Sequence, residues 1–308
     1  MNTPWAEQVV GWSADEAEVL SECVHRAPPV HTTRPWQLEF ADRTAVLRER
    51  RDVPPPPHDP EGRDRKIACG AALTNLVAAV RGLGWAADMD IAVSADGAVT
   101  ASVTGPRRSR ASDSEAHRFR AIGDRRVHEW AFGPRPVPPE DLEAVRDVAA
   151  SPAVGAWWVG GGAEALGVAR LLDYAARAYH ANLDYQRELT MWTTRRVDGA
   201  VGLSAGGAAR VRVPDEFQLA ARIEREAVLV LATRTDGPES QVRAGEAVQA
   251  AWLEATTRGL AASLVTQPLH LSEVRTGLAD RLDRPGVPQA LMRFGHPAAI
   301  PAARPGDD

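Results

Sequence analysis

Two stretches of this chain resemble each other, and they constrain its fold more than any other feature. Residues 70–73 (GAAL) run on to Arg-Gly-Leu at 81–83. Residues 245–248 (GEAV) run on to a second Arg-Gly-Leu at 258–260. The similarity predicts an internal duplication in which each half contributes one long apolar helix. Because the spacing differs by two residues, a second interpretation stays open: two alanine-rich helices, each ended by a glycine at its C′ position.

The rest of the pattern predicts short strands between helices. Apolar residues at helical spacing indicate helices at 14–26, 63–83, 116–124, 141–150, 163–187 and 244–259. Alternating or β-branched runs indicate strands at 36–40, 44–47, 91–93, 99–103, 154–159 and 226–233, and 262–266 leads into a turn. Most of these strands pair as hairpins, so the expected class is α+β, with antiparallel-dominated sheets flanked by helices.

The stretch 105–114, rich in Gly, Pro, Arg and Ser, is the most linker-like part of the chain. A chain of 308 residues commonly forms about two domains. We therefore expect an N-terminal half at 1–110 and a C-terminal half at 111–308. Within the second half, the region 176–215 is rich in Gly, Ala and Arg and is a candidate lid.

Composition excludes several classes of function. The net charge of −5 provides no basic surface for nucleic acid. No run approaches the roughly 18 apolar residues that cross a bilayer, and residues 1–8 lack the character of a signal peptide. Cys23 and Cys69 make no disulfide framework, so a reduced cytoplasmic setting is expected. The eight histidines lack metal-ligand spacing, and no metal is expected.

Lys66 is the single lysine of the chain. Nearly every fixed cation at a binding site must therefore be an arginine. The planar guanidinium group suits phosphate because it donates hydrogen bonds in pairs.

Six segments, in order along the chain, resemble the nitroreductase superfamily and specifically its actinobacterial Acg-type branch. Residues 26–36 (RAPPVHTTRPW) are similar to that branch's RAPSxHNxQPW, and 59–63 with 69–76 (DPEGR, CGAALTNL) to its DPxGR and CGAALxNL. The other matching segments are 125–138, 188–199, 245–270 and 288–296. The resemblance covers almost the whole chain.

The resemblance implies a fold that normally works as a homodimer with FMN bound between the subunits. One subunit supplies an arginine-rich phosphate strand and a loop at the flavin edge, and its partner supplies the PSxxNxQPW loop. Here the first half of the chain carries only the latter block and the second half only the former. The chain is therefore expected to be a monomer that acts as a pseudo-dimer with one FMN site, and further association stays open.

The resemblance also assigns roles to individual residues. Arg125, Arg126 and Arg304 match the phosphate ligands, and in the N-terminal loop Pro29, His31, Thr32 and Arg34 would lie against the ring, with Arg34 near N1 and O2. Backbone N–H groups of the turn Gln267, Pro268, Leu269 and His270 would face N5. An alternative for Arg125 and Arg126 is a solvated pair at a helix end, and for Arg34 a surface salt bridge. Trp36 and Cys69 are expected to be core residues.

No side chain is assigned as a certain catalytic group, because the flavin itself exchanges hydride at N5. His270 stands where relatives carry Glu and is a candidate proton donor. The chain departs from the family pattern at Pro29, Thr32, Arg34, Val127, Glu129 and Ala303.

Three hypotheses of function follow. The first is an FMN-dependent oxidoreductase that passes hydride from NAD(P)H to a nitroaromatic, a quinone or a similar acceptor. The second is a non-catalytic protein that binds and sequesters flavin beneath the 176–215 lid. The third is a degenerate scaffold without cofactor.

Overall fold

This computed structural model describes residues 11–28, 34–52, 54–55, 59–128, 132–181 and 216–298. Within these ranges the chain forms helices α1 (Ala14–His25), α2 (Arg63–Gly82), α3 (Asp113–Asp124), α4 (Pro139–Ala149), α5 (Ala163–Ala181), α6 (Glu216–Arg225), α7 (Pro238–Thr257) and α8 (Ser272–Leu282). A short 3₁₀ helix, Gln267–His270, lies between α7 and α8. None of these helices combines the length and the apolar character of a transmembrane span.

The first sheet consists of β1 (Trp36–Ala41), β2 (Thr44–Glu49), β3 (Asp88–Val93) and β4 (Val99–Thr104) in the order β1-β2-β4-β3. All pairs of neighbouring strands within this sheet are antiparallel. β4 alternates between buried and half-buried residues. Its buried side chains pack with α1 and α2 in one apolar core, as the period of two in a half-buried strand requires.

The second sheet consists of β5 (Val154–Trp158), β6 (Ala227–Thr233), β7 (Ala261–Val265) and β8 (Val287–Gly295) in the order β5-β6-β8-β7. Taken in chain order, this is the strand order of the first sheet. In both sheets the long helix, α2 or α7, follows the second strand. The difference lies between the first two strands, which a tight turn at Asp42 joins in the first sheet and the segment 159–226 joins in the second.

Helices α2 and α7 cross at their two matching glycines. A Cβ on Gly70 would lie 2.0 Å from the carbonyl oxygen of Val242, and one on Gly245 would lie 1.9 Å from that of Ile67. Only glycine permits backbones to approach this closely. The buried amides of Asn75 and Gln249 complete the contact through a 2.7 Å hydrogen bond between Nε2 of Gln249 and Oδ1 of Asn75.

The α+β class and the antiparallel sheets predicted from the sequence are confirmed. The boundaries differ at several elements. α3 begins at Asp113, inside the stretch predicted as linker, because Ser112 and Glu115 form a capping box at its start. α7 begins at Pro238 rather than at 244, since Pro is favoured in a first helical turn.

The sequence analysis assigned no structure to α6, α8 and β8. β8 was missed because it is a central strand, buried along most of its length, so its residues do not alternate between polar and apolar. The part of the predicted helix 163–187 beyond residue 181 lies outside the described residues, as does 182–215 of the candidate lid.

Candidate functional site

A cleft of about 240 Å³ opens where the end of α1, the start of β1 and the end of α3 meet. It is rich in cationic side chains, and none of its described lining residues is a carboxylate. The lining residues are His25, Arg26, Ala27, Arg34, Ile122, Arg125 and Arg126. A cleft of this composition attracts anions.

Arg125 is the most buried cation of the cleft. Its Nη2 donates a 2.7 Å hydrogen bond to the carbonyl oxygen of Arg26, and its guanidinium carbon lies 4.9 Å from the centre of the Trp252 ring. Among the described residues, no acceptor pairs with its buried Nε and Nη1. Burial, with the neighbouring charge of Arg126, lowers the pKa of Arg125 to about 10. At neutral pH the guanidinium group is therefore charged, and its Nε and Nη1 can donate hydrogen bonds to an anion.

Three further arginines, Arg26, Arg34 and Arg126, and a histidine line the cleft. Arg126 is exposed and donates a 2.6 Å hydrogen bond to the carbonyl oxygen of Gly123. Arg34 is also exposed. Burial and the charge of Arg34 lower the pKa of His25, so this histidine is mostly neutral at pH 7. An anion bound among these groups would favour its protonation.

The structure brings together two of the predicted blocks. Arg34 belongs to the loop predicted for the flavin ring, and it lines the same cleft as Arg125 and Arg126. Four other predicted site residues, Pro29, His31, Thr32 and Arg304, lie outside the described residues, as do Glu129 and Ala303. Trp36 and Cys69 are buried, which confirms that both belong to the core.

The predicted turn, Gln267–His270, does not line this cleft. It lies at the other end of β7, because Val127 pairs with Ala262 at the start of that strand and the turn follows its end. At about 3.3 Å per residue, the five-residue step from Ala262 to Gln267 spans roughly 16 Å. A single ligand that touches both must be extended.

Helix α2 runs past both of these regions. The thiol of Cys69 contacts the carbonyl oxygen of Pro35, next to Arg34, at 3.6 Å. Five residues earlier in α2, Asp64 accepts a 3.0 Å hydrogen bond from the Thr266 hydroxyl. The start of β1 and the turn therefore both contact α2, at positions about 7.5 Å apart along the helix axis at 1.5 Å per residue.

A buried network of charges, which the sequence analysis missed, surrounds the turn. Arg63 is 2% exposed and donates from Nη1 to the carbonyl oxygen of Leu269 at 3.0 Å and from Nη2 to Oε1 of Gln289 at 2.5 Å. The Gln289 amide in turn donates to Oδ1 of Asp236 at 3.0 Å. The only available signal was the DPEGR segment, which carried the resemblance but no assigned role.

Gln289 reaches Arg63 because of an irregularity in β8. Leu231 pairs with Ala290, whereas the next residue, Ala232, pairs with Pro288, so Gln289 is the extra residue of a β-bulge. A bulge redirects a side chain and tolerates a proline in a central strand. Both effects are seen at this point.

Asp59, Asp64 and His270 also meet in this network, with their candidate ligand atoms within 4.8 Å of one another. That spacing alone would permit a metal ion. Both carboxylate oxygens of Asp59, however, accept backbone N–H groups, from Arg63 at 2.8 Å and from Asp64 at 2.9 Å. The positive end of α2 and the Arg63 charge disfavour a further cation. We therefore interpret the group as an ion-pair network.

Known proteins include several that are similar in sequence to this chain. No protein-family profile matches the chain. "Putative NAD(P)H nitroreductase Rv3131" from Mycobacterium tuberculosis is 29% identical over 295 residues, which cover 88% of this chain and 82% of the relative. "Putative NAD(P)H nitroreductase acg" from the same species is 27% identical over 288 residues, 88% of this chain and 86% of the relative. The chain is a relative of the Acg-type nitroreductases.

Solved structures share less with this chain. The FMN-dependent nitroreductase NfnB from Mycobacterium smegmatis, in complex with NADPH, is 20% identical and covers 60% of this chain and 90% of its own, with a TM-score of 0.43. A nitroreductase with bound FMN from Bacteroides fragilis is 15% identical and covers 61% and 96%, with a TM-score of 0.39.

Proposed function

We propose that this chain is an FMN-dependent NAD(P)H oxidoreductase of the nitroreductase type. The observation that carries the proposal is the shared cleft: Arg34 comes from the first half of the chain, and Arg125 and Arg126 come from the second. If the two halves each supply part of one site, as the sequence predicts, residues from both halves must line the same cleft. The curated Acg-type relatives, which match over 88% of the chain, support the same activity.

The residues of the cleft fit the phosphate of FMN. A phosphate dianion needs fixed donors, and hydrogen bonds to charged groups contribute roughly 1.5–3 kcal/mol each. Arg125 offers Nε and Nη1, which are buried and have no acceptor among the described residues. Arg34 and Arg126 add two exposed cations. The resemblance assigned Arg34, which replaces the family's Gln, to N1 and O2 of the ring. Because it lines the same cleft as Arg125 and Arg126, we propose that it contacts the phosphate instead.

FMN, when bound, supplies hydride exchange at N5. The chain would hold the phosphate in the arginine cleft and present backbone N–H groups of the turn Gln267–His270 to the flavin edge. Pro29, His31, Thr32 and Arg304 are proposed to complete the site. NAD(P)H would be the donor, and a nitroaromatic, a quinone or a similar small molecule the acceptor. Cytoplasmic localisation remains a prediction from the sequence.

We further propose that residues 1–110 and 111–308 take the places of the two subunits of a homodimer after an internal duplication. The equal strand order of the two sheets and the crossing of Gly70 with Gly245 support this. The region 176–215 is proposed as a lid. Tyr179, near its beginning, donates a 2.8 Å hydrogen bond to the carbonyl oxygen of Gln267, which ties the base of that region to the turn.

Flavin titration of the purified protein tests the proposal. We expect a yellow complex with FMN that NADPH or NADH bleaches without oxygen, and whose colour returns when a nitroaromatic or a quinone is added. A yellow complex that neither nucleotide bleaches would favour flavin sequestration instead. A protein that takes up no FMN would refute both.

Single variants locate the phosphate. Arg125→Ala is expected to raise the Kd for FMN by about 10- to 100-fold, the equivalent of the charged hydrogen bonds it removes. Arg34→Ala should weaken binding in the same direction. Arg146→Ala, on the surface of α4 and paired only with a neighbouring aspartate among the described residues, is the matched control. Equal Kd values for all three variants and the parent chain would place the phosphate elsewhere.

A further inference from the structure

The turn Gln267–His270 is held by side chains from both halves of the molecule. The carbonyl oxygen of Leu269 accepts hydrogen bonds from Arg63 at 3.0 Å and from Arg275 of α8 at 2.5 Å. The Thr266 hydroxyl, just before the turn, donates to Oδ2 of Asp64 at 3.0 Å. These hydrogen bonds fix the carbonyl group of Leu269 on one side of the turn. The backbone that faces the other side therefore has a fixed orientation.

Asp64 makes a second contact with the turn. Its Oδ1 lies 3.1 Å from Nε2 of His270, and the two side chains are only 11% and 5% exposed. Burial lowers the pKa of His270, but the nearby Asp64 carboxylate outweighs burial and raises it. The pKa of Asp64 is lowered despite its burial, because His270 faces one of its carboxylate oxygens and the Thr266 hydroxyl donates to the other. Both directions favour the charged forms of the two groups.

Other charged groups face this pair from every neighbouring element. Asp59 raises the pKa of His270 and Arg63 lowers it, both from the start of α2. Tyr179 of α5 lies close enough for the charge of Asp64 to raise its own pKa. Glu273 and Arg275 of α8 also act on Tyr179. Asp64 is the direct partner of His270 within this set.

We propose that the Asp64–His270 pair positions the turn Gln267–His270 at the flavin edge and places a positive charge beside it. The proposal rests on the proposed FMN site. Asp64 and His270 are positioning residues: the carboxylate comes from one half, the imidazole from the other, and their contact sets the distance between α2 and the turn. A fixed cation near a ring that gains negative charge on reduction stabilises the reduced form.

Two measurements test the positioning without any flavin. In Asp64→Asn the pH at which His270 titrates, followed by NMR, should fall by about one to three units. Backbone amides of Leu269 and Leu271, which are bonded within the turn, should exchange with solvent at least about tenfold faster. Thr266→Val keeps the shape of the side chain and removes only its hydrogen bond, so it should show a smaller change in exchange in the same direction even if Asp64→Asn fails to fold.

A third measurement tests the consequence for bound FMN. In His270→Gln the midpoint potential of the flavin should fall and lose its dependence on the His270 titration. The exposed His117 of α3 provides the matched control, His117→Gln, which should leave the potential unchanged.

Unchanged exchange in both Asp64→Asn and Thr266→Val would overturn the positioning role. Altered exchange with a potential equal to that of His117→Gln would overturn the role of the charge. If exchange and titration change as expected but no variant, nor the parent chain, binds FMN, the pair stands as the device that fixes the turn and the proposed function fails.

Discussion

At the scale of single residues, Glu115 shows how one carboxylate can stabilise two elements. It accepts hydrogen bonds from Nε and Nη2 of Arg81 at 2.7 and 2.9 Å and from the backbone N–H of Ser112 at 2.7 Å. The hydrogen bond from Arg81 is the main cause that lowers its pKa from 4.5 to about 2. The contact joins α2 to the start of α3.

This pairing predicts a specific acid sensitivity. A carboxyl group with a lowered pKa in the folded state stabilises the protein above its unfolded pKa, and that contribution is lost as pH falls from about 4.5 toward 2. Glu115→Gln should therefore lower Tm at pH 6 and flatten the decline of Tm between pH 5 and pH 2, as followed by circular dichroism. Glu143→Gln, at an exposed position of α4, is the control. Parallel curves for Glu115→Gln and the parent chain would contradict the assignment.

Some site residues could be predicted from the sequence and others could not. Arg125 and Arg126 are adjacent and lie in a block whose order along the chain matches the family. Asp64 and His270 are 206 positions apart, and only the packing of α2 beside the turn brings them together. Gln289 reaches Arg63 through a bulge, which leaves no signature in the residue pattern. A carboxylate in place of the His270 imidazole would lie about 3 Å from Asp64, which would be repulsive.

At the scale of secondary-structure elements, the crossing of α2 and α7 depends on two glycines. A methyl group on Gly70 or Gly245 would meet a backbone carbonyl at about 2 Å, so the helices would have to separate. Gly70→Ala and Gly245→Ala should each destabilise the protein by roughly 1–3 kcal/mol, the usual cost of overpacking, and lower Tm in thermal denaturation.

Gly123→Ala is the matched control for these variants. Gly123 also lies in a helix, but among the described residues nothing beyond its own helix backbone and chain neighbours lies within 4 Å of the position of its Cβ. Alanine is the better helix former, so this variant should raise Tm or leave it unchanged. A loss of stability equal to that of Gly70→Ala would mean that replacing a helical glycine is harmful in this protein irrespective of the crossing.

Elements with one exposed face were the easier ones to predict. The hairpins β1–β2 and β3–β4 alternate and connect locally, so their residues and their partners were both apparent. β8 pairs with β6 and β7, neither of which adjoins it in the chain, and is buried over most of its length. Neither its strand conformation nor its pairing partners could therefore be recognised from a local periodicity of the sequence.

At the scale of the whole molecule, each half buries its long helix against the other. Residues 1–110 and 111–308, produced separately, would expose the faces of α2 and α7 and separate the buried amides of Asn75 and Gln249. We expect each fragment alone to be largely unfolded or aggregated by circular dichroism, and the two to associate when produced together, as shown by recovery of both through a tag on one.

A chain cleaved after folding controls for the missing covalent bond. With a protease site inserted at 110/111, the cleaved protein should elute as one species in gel filtration until it is denatured. Cooperative unfolding of either fragment by itself would contradict the view that the halves replace two subunits. The sequence predicted this division through the distribution of its motifs, whereas the matching strand order became visible only in the sheets.

The meeting of Gly70 with Gly245 also bears on heredity. In an assembly of identical chains, one mutation changes both sides of a symmetric contact at once, and every recess beside it is altered in pairs. Here the two positions are separate codons of one reading frame. A change at one position therefore leaves the other unaltered, and a harmful change on one side of the contact can be offset by an unrelated change on the other.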